Sequence, residues 1–165
     1  LFNALSNAKV ETQDQLFSTL DPVTRRVRLP SGQEMLLTDT VGFIQKLSPT
    51  VVAAFRATLE ELTQSDLLLH VIDVTHPKVT EQTEVVEDTL EDLDLLAKPR
   101  IMVLNKMDLL KEDTRETDLS LLPGSATLDK VMVSGAKQWN LDSLLQQIES
   151  ELISNYLPLS FTDSV

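Results

Sequence analysis

Short apolar blocks set apart by longer amphipathic stretches constrain this chain more than any other feature. They are Glu34-Met35-Leu36-Leu37-Thr38, Leu67-Leu68-Leu69-His70-Val71-Ile72, Arg100-Ile101-Met102-Val103-Leu104 and Lys130-Val131-Met132-Val133. The middle two run apolar instead of alternating, as expected of parallel strands covered on both faces. A more polar run, Arg25-Arg26-Val27-Arg28-Leu29, leads into Pro30-Ser31-Gly32 and reads as an edge strand in a hairpin. Between the blocks lie helices with recognisable starts. Ser48-Pro49 precedes Val52, Phe55, Leu59 and Leu62 on one face. Thr80-Glu81 opens a second helix, with Val86, Leu90 and Leu93 inward. Asn140 caps a third, in which Leu141, Leu144, Leu145, Ile148 and Leu152 form an apolar stripe. The polar segment Lys111 to Ser125 reads as a loop with room for a short helix. Strands alternating with helices give an α/β domain with a doubly wound, mostly parallel sheet, whose ligands sit at the carboxyl ends of the strands.

Composition narrows the function classes. The 165 residues are 42% hydrophobic, enough for one domain with a sizeable core. A net charge of -12 argues against holding nucleic acid on an unaided surface, and against sequence-specific DNA binding, because backbone phosphates need a basic face. With no cysteine there is no disulfide framework, thiolate zinc site or cysteine nucleophile. The apolar run from Leu67 to Ile72 is far too short to span a bilayer, which points to a protein of the cytoplasm or of an organelle interior.

Three motifs stand at three strand ends. After the second strand comes Asp39-Thr40-Val41-Gly42. An aspartate leaving a buried strand can hold Mg2+, and a glycine lets a backbone N–H approach a terminal phosphate. Alone, such a tetrapeptide is more often a turn. After the fourth strand comes Asn105-Lys106-Met107-Asp108. The Asp108 carboxylate can accept parallel hydrogen bonds from the ring N–H and the exocyclic amine of guanine, a donor pair that adenine lacks. Asn105 can tie neighbouring loops together, and the Lys106 stem can lie flat over the base. A charged loop is the plainer reading of that tetrapeptide in isolation. After the last strand, Ser134-Gly135-Ala136-Lys137 is small enough for backbone N–H groups to reach the guanine carbonyl oxygen. The combination carries the argument: three motifs in the required order, each at the end of a separate strand, point to a site for GTP or GDP with Mg2+.

Three longer stretches, Gln15-Leu16-Phe17-Ser18-Thr19-Leu20-Asp21-Pro22-Val23-Thr24-Arg25-Arg26, Leu37-Thr38-Asp39-Thr40-Val41-Gly42-Phe43-Ile44 and Ala53-Ala54-Phe55-Arg56-Ala57-Thr58-Leu59-Glu60-Glu61, are more specific. In them the chain resembles the HflX-type GTPases, ribosome-associated proteins of the translation-factor class. The resemblance implies a P-loop NTPase-like fold and a GTP-binding domain over residues 1–155, with a tail over 156–165. It further implies that Phe17, Ser18, Thr19, Leu20 and Asp21 line the nucleotide, that the Thr19 hydroxyl joins Asp39 on Mg2+, and that the large ribosomal subunit is a partner.

The departures from the family pattern set further expectations. The G-x-x-x-x-G-K-[ST] loop is absent, and Leu1-Phe2-Asn3 looks like the helix start that comes directly after such a loop. The first, central strand would be absent as well, leaving its neighbours unpaired and the 165-residue chain poorly folded alone. Gly135 stands where alanine is usual, a mild change, and Asn140 where glycine is common, explained by capping. The residue after Asp39-Thr40-Val41-Gly42 is Phe43, not the glutamine that orients water in many GTPases. Slow intrinsic hydrolysis, accelerated by a partner such as the ribosome, is the expectation. Arg56 reads as solvated or paired with Glu60, His70 as a satisfied core histidine and His76 as a surface one. Glu84, Glu87, Asp88, Glu91 and Asp92 read as a solvated helix face. A nucleotide-free binding module descended from a GTPase, or a different α/β enzyme, remains the alternative.

Overall fold

The computed structural model describes residues 1–6, 23–40, 62–110, 122–124 and 128–156. Their elements, in chain order, are α1 (Phe2–Ser6), β1 (Val23–Arg28), β2 (Glu34–Asp39), β3 (Leu68–Asp73), α2 (Val79–Asp92), β4 (Arg100–Asn105), a 3₁₀ turn (Met107–Leu109), β5 (Asp129–Met132) and α3 (Leu141–Tyr156). The parallel strands form a sheet in the order β3-β4-β5, while β1 and β2 make a separate antiparallel pair. This is the mostly parallel α/β arrangement read from the sequence.

β4 explains why the fold is doubly wound. Its residues Ile101, Met102, Val103 and Leu104 are 0%, 0%, 0% and 1% exposed. Because side chains alternate across a strand, Ile101 and Val103 face one way and Met102 and Leu104 the other. On the first side they join Leu5, Leu29, Val131, Val133, Leu144 and Ile148. On the second they join Ile72, Val74 and Leu122, with Val79 of α2 packed against them. Each of these β4 side chains contributes about 1.5–3 kcal/mol by leaving water. The α3 stripe is as expected: Leu144 and Ile148 are buried, and Leu141, Leu145 and Leu152 pack beside them.

The hairpin is also as expected. Pro30, Ser31 and Gly32 form the turn, with Gly32 at φ 90, where a side chain would be strained. The Leu29 N–H donates to the Gln33 carbonyl at 2.8 Å and closes the loop.

Some expectations need correction. β3 is not covered on both faces: Val71 is 47% exposed. Its strand pairs only with β4, and among the described residues nothing covers its other edge. β2 likewise pairs only with β1, and Leu36 on it is 70% exposed.

α2 begins at Val79, not after a Thr80 cap, and flanking Lys78 makes no side-chain capping bond. The Lys78 N–H instead donates to Nδ1 of His76 at 3.1 Å, so the loop histidine completes the helix start. On α2, Glu84, Asp88, Glu91 and Asp92 are exposed, but Glu87 turns inward to accept from Nη1 of Arg100 at 2.8 Å. His70 is buried yet not satisfied: its Nδ1 has no hydrogen-bond partner among the described residues and lies 3.7 Å from Oε1 of Glu87.

Asn140 does precede α3, but its side-chain nitrogen donates back to the Met132 carbonyl at 2.8 Å. Its φ is 59, the left-handed conformation in which glycine is at home, and that accounts for asparagine at a glycine-prone position better than capping does. The helix expected after Ser48-Pro49, except for its helical end at 62–64, most of the Lys111 to Ser125 loop, and Phe43, Arg56 and the 157–165 part of the tail lie outside the described residues.

Candidate functional site

Parallel pairing aligns the carboxyl ends of β3, β4 and β5 and so places the residues beyond them side by side. Asp73 at the end of β3 is the register partner of Asn105 at the end of β4, and Leu104 is that of Met132 on β5. Backbone bonds then continue the alignment beyond the strands. The Val74 N–H donates to the Asn105 carbonyl at 3.2 Å, and the Met107 N–H to the Val133 carbonyl at 3.2 Å.

Asn105 ties two loops together, as its position suggested: its Oδ1 accepts the Gly135 N–H at 3.0 Å. A base carbonyl arriving at this loop would therefore share the Gly135 N–H with Asn105. The loop itself is tight. Ser134 is fully buried, its backbone bridges that of Trp139, and its Oγ accepts the Lys137 N–H at 3.0 Å. Ala136 lies exposed on the crest of this turn, and the Trp139 ring is exposed as well.

Gly135 is less interchangeable than the sequence suggested. A Cβ there would stand 2.9 Å from the backbone N and Cα of Leu1, so an alanine needs the main chain to move. Partial withdrawal from water raises the Asp39 carboxyl, at the end of β2, above its ordinary value, and a hydrogen bond from the Thr40 N–H opposes that rise.

Lys106 adopts φ 67, an unusual conformation for a residue with a side chain. This bend turns the chain from β4 into the 3₁₀ turn that carries Met107 and Asp108. The Lys106 ammonium pairs with Oδ2 of Asp73 at 2.7 Å. Asp108 is partly buried; its Oδ1 is enclosed and has no hydrogen-bond partner among the described residues. An enclosed carboxylate oxygen without a donor costs about 1–3 kcal/mol or more, so it marks a place where a donor belongs.

The structure accordingly brings Asn105, Lys106, Met107 and Asp108 together with Ser134, Gly135 and Ala136, and places Asp39 and Thr40 at the end of the neighbouring hairpin. Phe17, Ser18, Thr19, Leu20, Asp21, Val41 and Gly42 lie outside the described residues. Asp73 was not read from the sequence: it ends an apolar strand with a threonine two residues on, a signal that belongs to no recognised motif.

With this geometry in view, comparison with known proteins is informative. The family model described as 50S ribosome-binding GTPase matches residues 1–106. A protein named GTPase HflX from Caldanaerobacter subterraneus subsp. tengcongensis is 47% identical over 161 residues, covering 98% of this chain and 35% of its own length. Another GTPase HflX, from Alkalihalophilus pseudofirmus, is 41% identical over 158 residues, covering 96% of this chain and 36% of its own length. This chain thus spans about a third of the length of the curated relatives it matches. Among solved structures, a GTP-binding protein from the archaeon Sulfolobus solfataricus, in complex with GDP, superposes with a TM-score of 0.75. It is 28% identical and covers 93% of this chain and 48% of its own. On the family match and the fold together, this chain belongs to the 50S ribosome-binding GTPases and is of the HflX type.

Proposed function

We propose that this chain carries the base-recognition part of a guanine-nucleotide site, in a cytoplasmic or organellar protein that binds GTP and GDP with Mg2+ and hydrolyses GTP at the large ribosomal subunit. Residues 1–155 are its GTP-binding domain and 156–165 a tail. The observation that carries the reading is the enclosed Oδ1 of Asp108, without a partner among the described residues, beside the Asn105–Gly135 latch. A guanine presents a ring N–H and an amine side by side, and both can donate to this carboxylate. Adenine would leave it unpaired, which supplies the discrimination. A nucleotide-free module gives that oxygen no purpose.

The residues at the end of β2 fit Mg2+. The ion needs only one or two carboxylates and takes its other ligands from phosphates and water, so the single hard oxygen donor Asp39 suits it. Asp39, with Thr19, would hold the ion; when bound, it neutralises charge on the phosphates. Partial desolvation disfavours the Asp39 carboxylate, and a neighbouring cation would restore it. Lys106 offers a flat stem to the face of the base, while Asn105 keeps the two base-facing loops in register.

The test is a change of base preference in the full-length protein. Asp108→Asn should weaken GDP binding about a hundredfold or more, since two charge-assisted hydrogen bonds are worth about 1.5–3 kcal/mol each. The same variant should gain affinity for xanthosine diphosphate, whose carbonyl replaces the guanine amine and accepts from the new amide. Unchanged GDP affinity in Asp108→Asn would sink the reading.

A further inference from the structure

Asp73 lies outside the three motifs, yet it engages both neighbours of the base site. Its Oδ1 accepts the Thr75 N–H at 3.0 Å and the Thr75 hydroxyl at 2.6 Å. Its Oδ2 faces the Lys106 ammonium at 2.7 Å. Burial alone would raise the Asp73 carboxyl, but the Lys106 and Thr75 hydrogen bonds and the lysine charge outweigh it and hold the group below the ordinary aspartate value. The side chain is therefore a fixed anion, braced from its own loop on one oxygen and holding a cation from the next loop on the other.

That cation belongs to a residue with little freedom at its backbone. Lys106 is pinned at φ 67, its carbonyl accepts the Leu109 N–H at 3.0 Å, and Asn105 before it is latched to Gly135. The four-carbon stem of Lys106 is thus tied at both ends, by its own backbone after β4 and by Asp73 at the end of β3. A lysine not held at its tip is a flexible chain that loses rotamer freedom when a ring stacks on it.

We propose that Asp73 is a positioning residue of the base site: by anchoring the Lys106 ammonium, it holds the Lys106 stem as a preformed wall for the flat face of the nucleobase. This rests on the guanine-nucleotide reading above and adds to it a residue that touches no part of the nucleotide. Thr75 braces Asp73 and belongs to the same device.

The pair is half in water, with the Lys106 side chain 50% exposed and that of Asp73 31%. Its worth is accordingly that of a partly screened ion pair, about 1 kcal/mol, which corresponds to about a fivefold change in affinity. The experiment is a double-mutant cycle on the full-length protein, read by the release rate and affinity of a fluorescent GDP, with Asp73→Ala, Lys106→Ala and the double variant. Asp73→Ala should weaken GDP roughly fivefold, mainly through faster release, and should have almost no effect once Lys106 is alanine. Asp73→Asn, which keeps shape and loses charge, should fall between wild type and Asp73→Ala, and it replaces that variant if the alanine protein does not fold. Pyrophosphate should compete equally well in wild type and variant, since the device acts on the base. Equal losses in both lysine backgrounds would make Asp73 a prop for its own loop and overturn the proposal. So would an unaltered GDP affinity in Asp73→Ala. A wild-type protein that binds no guanine nucleotide would overturn both this proposal and the functional reading, whereas tight wild-type binding with no coupling overturns this one alone.

Discussion

His70 sits in β3 with a ring that an ordinary sequence reading assigns to the core, and it is in the core. What the sequence hides is the company it keeps. Removal from water, reinforced by the nearby Arg100 charge, pushes its pKa down to about 4 from the usual 6.5. Glu87, the residue that could favour the charged form, is engaged by Arg100 at 2.8 Å. The folded state therefore resists protonation that the unfolded chain accepts. Stability from this group is complete above pH 6.5 and drains away as pH falls towards 4. Denaturant unfolding of the full-length protein at pH 7 and pH 5 should differ on this account by about 2 kcal/mol, and His70→Gln should remove that part of the difference. A wild type and variant with parallel pH profiles would contradict it. The inward turn of Glu87 was not legible, because a run of acids at helical spacing looks the same whichever one of them meets a buried arginine. Asp108 and Asn105 stood out in the sequence because, at that spacing, each residue type has a task it could perform towards a guanine ring. Asp73 was missed for want of a motif: its role arises only when parallel pairing sets it opposite Asn105 and next to Lys106.

At the level of elements, periodicity did best where an element is packed from both sides or along one clear stripe. β4 and α3 are the cases, since nothing competes with burial in deciding their residues. Periodicity overreached at β3, whose apolar run looks like that of β4 although Val71 is 47% exposed. An apolar run states what a strand tolerates; which neighbours arrive to cover it is decided elsewhere in the chain. Among the described residues, β2 and β3 each have an edge without a pairing strand and exposed apolar side chains, a combination that favours association over folding. The 165-residue chain expressed by itself should show a broad, weakly cooperative melt and concentration-dependent aggregation. A sharp, reversible, concentration-independent thermal transition would show that the two sheets need nothing between or upon them. Helix boundaries were harder to read than helices. The start of α2 depends on the His76 ring accepting the Lys78 N–H, and the start of α3 on a left-handed Asn140, neither of which has a simple signature.

For the whole molecule, the proposed base-recognition loops speak to binding and not to turnover. The residue after Asp39-Thr40-Val41-Gly42 is Phe43, whose ring has no group to orient an attacking water. On the reading proposed above, the full-length protein alone should release phosphate from GTP slowly, and purified large ribosomal subunits should accelerate it by an order of magnitude or more. Equal rates with and without subunits would separate this protein from a ribosome-activated mechanism. The enclosed oxygen of Asp108 has a consequence of a different kind. A protein that keeps a polar atom unpaired until its ligand arrives is strained when empty and relaxed when full, so occupancy is also a form of maintenance. On the reading proposed above, the full-length protein kept short of guanine nucleotide should unfold and be degraded faster than the same protein kept supplied.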